Sequence, residues 1–250
     1  MFLFSRREFG RMAMAGGVSY EVETIESRHQ ATPTFLRVAR PKKRPVKRTV
    51  LVLPVIAGTT AQWGDGFYEA LALRWPERYG VQIAAPSFAH VPWYADHPVN
   101  PKIAQEKFLL EEIVPRLPGK ILLLGFSKSG NGALTLLLRH PDKFAAAAAW
   151  DSPLLLDAPG RYESGTIYGT AENFAGYALP ALFEKRAAEF RTPRISISGY
   201  KMFQKDTEVA HEKLAALGVP HHYANGTQRA HHWASGWMEE SMAALDGMVR

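Results

Sequence analysis

The chain has 250 residues, enough for one large domain that buries most of the surface its unfolded form exposes. It has no cysteine, which excludes disulfides, thiolate metal sites and cysteine nucleophiles. Its formal charge of +6 is modest, and no run of 18 or more apolar residues occurs that would read as a membrane-spanning helix.

The N-terminal Ser5-Arg6-Arg7-Glu8-Phe9 looks like a twin-arginine export signal followed by the apolar Met12–Val18. An export signal needs about 7–15 apolar residues and a cleavage site. Here the apolar stretch is short, contains two glycines and runs into a strand-like alternation. We therefore expect residues 1–18 to be a basic leader, possessing at most a truncated or vestigial signal, on a soluble protein that favours the cytoplasm, with one domain over 19–250.

Tyr20–Glu26 and Phe35–Ala39 read as an antiparallel strand pair. Between Phe35–Ala39 and the next strand lies Arg40–Arg48, RPKKRPVKR. These charges could mark a nucleic-acid or anionic surface. No aromatic residue interleaves with them to stack bases, so a solvated, proline-stiffened loop is expected and no nucleic-acid partner. Thr49–Leu53 is a buried strand by its β-branched and leucine content. A helix over Phe67–Arg78, a strand over Val81–Ala85 and a helix over Lys102–Val114 follow.

Strand Lys120–Gly125 leads into GFSKSGNG and then a helix that Pro141 stops. Phe144–Trp150 is expected as a strand, although its alanines suit a helix by propensity. Helix Tyr177–Phe190, strand Arg194–Ser198, helix Asp206–Leu217, strand Val219–Ala224 and helix Trp233–Leu245 complete the pattern. Buried strands alternating with helices predict an α/β fold: a mostly parallel central sheet, helices on both faces, antiparallel strands at the N-terminus. Sites in such sheets lie at the carboxyl ends of the strands.

Ser127 stands at one such end. Gly125, Ser129, Gly130 and Gly132 surround it with small residues, as a sharp strand–turn–helix requires. The plain alternative is a turn whose serine merely caps the helix. Read as a nucleophile elbow, the turn differs from G-x-S-x-G in having Ser129 at the second glycine position. A serine nucleophile needs a base, and the base needs an orienting acid. In enzymes built this way the chain order is Ser, acid, His.

The histidine belongs after the last strand, where His231 and His232 are adjacent. His231 is the chosen base; otherwise the pair would be surface imidazoles, and no third residue at metal-ligand spacing accompanies them. Asp206 is the first carboxylate after strand Arg194–Ser198 and the chosen acid, although it suits a helix N-cap equally well. Asp151, after the strand that follows the elbow, is the alternative, and Glu208 stays open. Backbone N–H groups of Lys128 and of Ile56, in the loop Pro54–Gly58, are expected to form the oxyanion hole. Trp93, Tyr94 and His97, in the aromatic loop Pro86–Pro98, are expected to line a substrate cleft or else to pack as a surface loop. Asp157–Tyr177 is expected as a short lid.

The stretch GFSKSGNGALTLLLRHPDKFAAAAAWDSP resembles the elbow, helix and following strand of esterases in the α/β-hydrolase superfamily, in the esterase D, feruloyl-esterase and siderophore-esterase branches. His231-His232-Trp233 is similar to their H-x-W element, whose first His is catalytic. The resemblance covers Thr49 to the C-terminus. It implies an α/β-hydrolase fold and a serine esterase that cleaves a small-molecule carboxylic ester through an acyl-enzyme, with no cofactor and no metal. An acyltransferase or serine peptidase using the same residues, or a non-catalytic binding module on the same scaffold, are the alternatives. The missing carboxylate directly after Ser198 departs from the family pattern.

Overall fold

The computed structural model describes residues 9–15, 18–42, 45–57 and 62–249. Nine strands form one sheet among them, in the order β1-β2-β3-β5-β4-β6-β7-β8-β9. The strands are β1 (Phe9–Ala15), β2 (Val18–Ile25), β3 (Thr34–Ala39), β4 (Arg48–Val52), β5 (Gln82–Pro86), β6 (Lys120–Phe126), β7 (Phe144–Trp150), β8 (Ile195–Gly199) and β9 (His221–Asn225). β1, β2, β3 and β5 pair antiparallel in succession, and β5 through β9 pair parallel across the sheet. Of the expected leader, Phe9–Ala15 is the edge strand β1, while Arg6 and Arg7 lie outside the described residues.

The main helices are α1 (Gly66–Ala72), α2 (Trp75–Tyr79), α3 (Gln105–Lys107), α4 (Lys128–Arg139), α5 (Gly165–Tyr168), α6 (Ala171–Ala175), α7 (Leu179–Arg186), α8 (Gln204–Ala216) and α9 (Trp237–Val249). α3 runs on as wider π-helical turns over Phe108–Ile113. The single helix expected over Phe67–Arg78 is two helices. Arg74 adopts a left-handed φ of 57° between them, and Pro76 sits in the first turn of α2. No helix of the described residues is long and apolar enough to cross a membrane.

Period-two alternation sorts the core. In β6, Ile121 and Leu123 pack on one face with α4, α7 and α8. Leu122 and Leu124 pack on the other with α1, α2 and α9. The alanines of β7 divide likewise, Ala147 and Ala149 to the first face, Ala146 and Ala148 to the second. Helix propensity favours such a run as helix, but tertiary context decides: small side chains covered on both faces let α4 approach closely. A Cβ on Gly130 of α4 would come 3.1 Å from the Ala149 Cβ.

β4 lies between β5 and β6, so the chain leaves β4 for one side of the sheet and returns to its other side. Such a reversal opens a crevice outside the carboxyl ends of the strands. The loops after β4 and β6 therefore meet there.

Candidate active site

Ser127 occupies the turn between β6 and α4 with φ 53° and ψ −128°, a conformation a non-glycine residue seldom takes. Neighbouring hydrogen bonds over-determine it, as retained strain requires. The Ser127 N–H donates to the Trp150 carbonyl at 3.0 Å, and the Ser127 carbonyl accepts from Gly130 N–H at 3.0 Å. Gly125 has no room for a side chain: a Cβ there would sit 2.1 Å from the Ser129 carbonyl oxygen. Ser129 is fully buried. Its hydroxyl donates to the Phe126 carbonyl at 2.8 Å and accepts from the Phe126 N–H at 2.9 Å. The serine that replaces glycine thus ties the turn to the strand end.

His231 enters from the loop between β9 and α9. That loop is fixed by Trp233 N–H donating to the Trp63 carbonyl at 2.9 Å and by Trp237 Nε1 donating to the His232 carbonyl at 3.1 Å. The imidazole lies among aromatic rings, with Phe126 at 4.4 Å and Trp63 edge-on at 5.4 Å between centroids. Its Nδ1 is 2.5 Å from Asp151 Oδ2. Asp151 is 1% exposed, takes a left-handed φ of 44°, and accepts the Phe203 N–H on Oδ1 at 3.0 Å. With Nδ1 committed to the carboxylate, Nε2 is the ring nitrogen left for chemistry.

The structure brings Asp151, and not Asp206, to His231. Asp206 lies in the first turn of α8 and accepts the Leu155 N–H at 3.0 Å. Burial pushes its carboxyl up, and the backbone N–H groups of Leu155 and Leu154 oppose the rise. It does not cap α8, whose N-cap is Phe203. Glu208 bonds Gln204 and Asn225. His232 turns away from the cleft: its Nδ1 accepts the Ala234 N–H at 3.1 Å and its ring fills the space beside Gly64.

Ser127, Lys128, His231 and Ile56 line one cleft of about 460 Å³. Its remaining walls are mostly apolar, with Trp63, Phe126, Met202 and Phe203 among them. Lys128 and Glu163 are its charged members. Burial pushes the Lys128 ammonium down, and Glu163 partly offsets that. Five non-glycine residues lining or supporting the cleft have left-handed backbones: Ser127, Asp151, Tyr162, Glu163 and Lys201. Gly58 of the loop after β4 lies outside the described residues.

Trp93, Tyr94 and His97 do not line this cleft. Trp93 and Tyr94 are fully buried, because the loop folds inward onto the small aromatic cluster and the elbow helix. Trp93 Nε1 holds the Tyr162 carbonyl at 3.1 Å, so it supports the cleft rim from behind. His97 Nδ1 accepts the N–H groups of Val99 and Asn100. The cleft residues that sequence reasoning missed follow β8 (Met202, Phe203), lie in the expected lid (Tyr162, Glu163) or precede α1 (Trp63). Their one available signal is position: Met202 and Phe203 come just beyond a strand's carboxyl end.

Comparison of folds decides the architecture. An S-formylglutathione hydrolase from Agrobacterium tumefaciens superposes with a TM-score of 0.76 at 14% identity, covering 97% of this chain and 99% of that one. The chain has the α/β-hydrolase fold. The fluorophosphonate-binding serine hydrolase F of Staphylococcus aureus gives a TM-score of 0.73 at 17% identity, over 93% and 99% of the two chains. A ferulic acid esterase gives 0.69 at 19% identity, over 92% and 97%. No protein-family model and no curated relative matches the sequence. At these identities the likeness is one of fold, so the activity must be argued from the site.

Proposed function

We propose that this α/β-hydrolase-fold protein is a serine esterase that cleaves small carboxylic esters with Ser127 as nucleophile, His231 as base and Asp151 as the orienting acid. The observation that carries the reading is the contact between His231 Nδ1 and the buried Asp151 carboxylate, beside a serine held in elbow geometry. The Asp151 acceptor selects the tautomer with its proton on Nδ1, so Nε2 is free to take the serine proton. Ser127 Oγ attacks the ester carbonyl. His231 receives the proton at Nε2 and returns it to the departing alkoxide. Asp151 stabilises the imidazolium in between. Backbone N–H groups of Lys128 and Ile56 stabilise the developing oxyanion, a contribution of about 3–4 kcal/mol for each donor. Water then repeats the sequence on the acyl-enzyme, with the same histidine as base. The apolar cleft wall suits an ester with a hydrocarbon or aromatic body, and the neighbouring solved structures named as hydrolases and esterases agree with this class.

A fluorophosphonate probe tests it. The wild-type protein should be labelled at Ser127, with loss of 4-nitrophenyl butyrate hydrolysis in step with labelling. A folded protein that takes up no probe would overturn the assignment.

A further inference from the structure

We propose that Tyr94 couples the nucleophile-elbow helix to the oxyanion loop, acting as a positioning residue for acyl transfer. The inference rests on the esterase reading above. Its starting point is a misfit: Tyr94 belongs to an aromatic loop at a strand's carboxyl end, yet it is fully buried and reaches no substrate space. Its φ of 60° is left-handed, which a bulky residue keeps only where its surroundings enforce it.

Three contacts enforce it. The buried Gln105 accepts the N–H groups of both Trp93 and Tyr94 on Oε1, each at 2.8 Å. Gln105 Nε2 donates to the Val91 carbonyl at 2.9 Å, which completes the clamp on the loop. The Tyr94 ring meets Phe88 edge-on at 5.4 Å and lies over Gly132 of α4, where a Cβ would come 2.0 Å from Tyr94 Cδ2. So the ring is seated against the elbow helix, with no freedom to swing.

The hydroxyl at the end of this rigid ring donates to the Pro54 carbonyl. Pro54 begins the loop after β4, directly ahead of Val55 and Ile56 in the cleft wall. The sheet's hold on that loop ends at Leu53, whose N–H donates to the Leu124 carbonyl at 2.9 Å. Beyond it, the Tyr94 hydroxyl is the next tether. Burial pushes this hydroxyl well above its ordinary range, so it remains a donor at any working pH. A connected path therefore runs from Gly132 in the elbow helix through the Tyr94 ring and hydroxyl to Pro54. Oxyanion stabilisation depends on donors fixed before the reaction, and displacement by about 1 Å can cost about 100-fold. The path sets the distance between the loop that supplies one donor and the turn that supplies nucleophile and the other donor.

The test uses the full chain with Tyr94→Phe, which keeps the ring and removes the hydroxyl. We expect kcat for 4-nitrophenyl butyrate to fall by on the order of 10- to 100-fold with KM within twofold. Affinity for an alkyl trifluoromethyl ketone, which forms a tetrahedral oxyanion on the serine, should weaken by the same factor as kcat/KM. A purely structural role would lower the melting temperature and leave both readouts in place. Gln105→Ala, which frees the loop that seats Tyr94, should shift them in the same direction, and the double variant should be little worse than Tyr94→Phe alone. A folded Tyr94→Phe protein with kcat and ketone affinity within twofold of wild type would overturn the coupling. Should Tyr94→Phe fail to fold, unchanged values for Gln105→Ala would overturn it equally. Wild-type protein inert toward both ester and fluorophosphonate would instead sink the esterase reading, and the coupling with it.

Discussion

Asp151 binds two partners at once: Oδ2 lies 2.5 Å from His231 Nδ1, and Oδ1 accepts the Phe203 N–H at 3.0 Å. The second bond fixes the carboxylate plane, so the first fixes the imidazole. It also ties the segment after β8, which carries Met202 and Phe203 into the cleft wall, to the end of β7. Asp151 is thus one buried anchor shared by His231 and a wall of the cleft.

Substituting the two aspartates separates their roles. Asp151→Asn should leave the fold intact, since asparagine tolerates a left-handed backbone. It should lower kcat by about 10⁴, because the amide can donate to the ring and favour the wrong tautomer. Asp206→Asn retains an oxygen for the Leu155 N–H, and its kcat should stay within twofold of wild type. Steady-state kinetics on both variants decide the point. Near-normal turnover by Asp151→Asn would remove it from the mechanism.

Ser127→Ala and His231→Ala should each abolish ester hydrolysis, and the double variant should be little worse than either, because members of one catalytic unit do not add. His232→Ala loses an acceptor for the Ala234 N–H, at a cost of about 1 kcal/mol in stability, with kcat largely kept. Parallel urea melts and rate measurements distinguish the two histidines. A larger kcat loss for His232→Ala than for His231→Ala would reverse their assignment.

Much of the elbow was legible because its constraints are local. Gly125, Ser127, Ser129 and Gly130 are spaced as a tight turn demands, whatever the rest of the chain does. The H-x-W resemblance supports the choice of His231 over its neighbour, and the geometry sets His231 beside Asp151. The acid was harder to read, since β7 and β8 are neighbours and each is followed by carboxylates. Which one reaches His231 depends on side-chain direction. Asp151 follows its strand at once, while Asp206 lies a helical turn further on and faces the Leu154–Leu155 backbone. The aromatic loop misled for a similar reason. Composition marks Trp93 and Tyr94 as ligand-like, but the glycine at 132 opens a seat for Tyr94 inside the molecule, and no pattern within the loop reports that.

Gly125→Ala should be strongly destabilising. The new Cβ would stand 2.1 Å from the Ser129 carbonyl oxygen and 2.5 Å from the Gly130 nitrogen, both backbone atoms of the first turn of α4. Neither can move without disturbing the buried elbow. Overpacking of this kind costs about 1–3 kcal/mol and sometimes more. The denaturant midpoint should fall accordingly, and fluorophosphonate labelling should slow as the turn is displaced. An unchanged midpoint would show that the elbow has slack the geometry does not suggest.

Acid stability should depend on Glu106, which is buried beneath the far end of α4. Arg139 grips it with Nε at 2.6 Å and Nη2 at 2.9 Å, His140 Nε2 lies 2.7 Å from Oε1, and the Tyr177 hydroxyl donates to Oε2 at 3.0 Å. Burial pushes the carboxyl up, but the bonds from His140 and Arg139 outweigh it and hold the group at about 2. An unfolded chain returns it to the ordinary value of 4.5. Between those two values the unfolded state binds the extra proton, so folding stability rises with pH there. The stabilisation is complete above about pH 5 and is lost as pH falls toward 2, on the order of 3 kcal/mol across the window. Glu106→Gln should flatten that slope. It should also destabilise the protein at pH 7 by about 3–5 kcal/mol, because Arg139 is left partly buried without its counter-charge. Urea unfolding at pH 5, 4 and 3 on both proteins measures this directly. Equal slopes would place the acid sensitivity in another carboxylate.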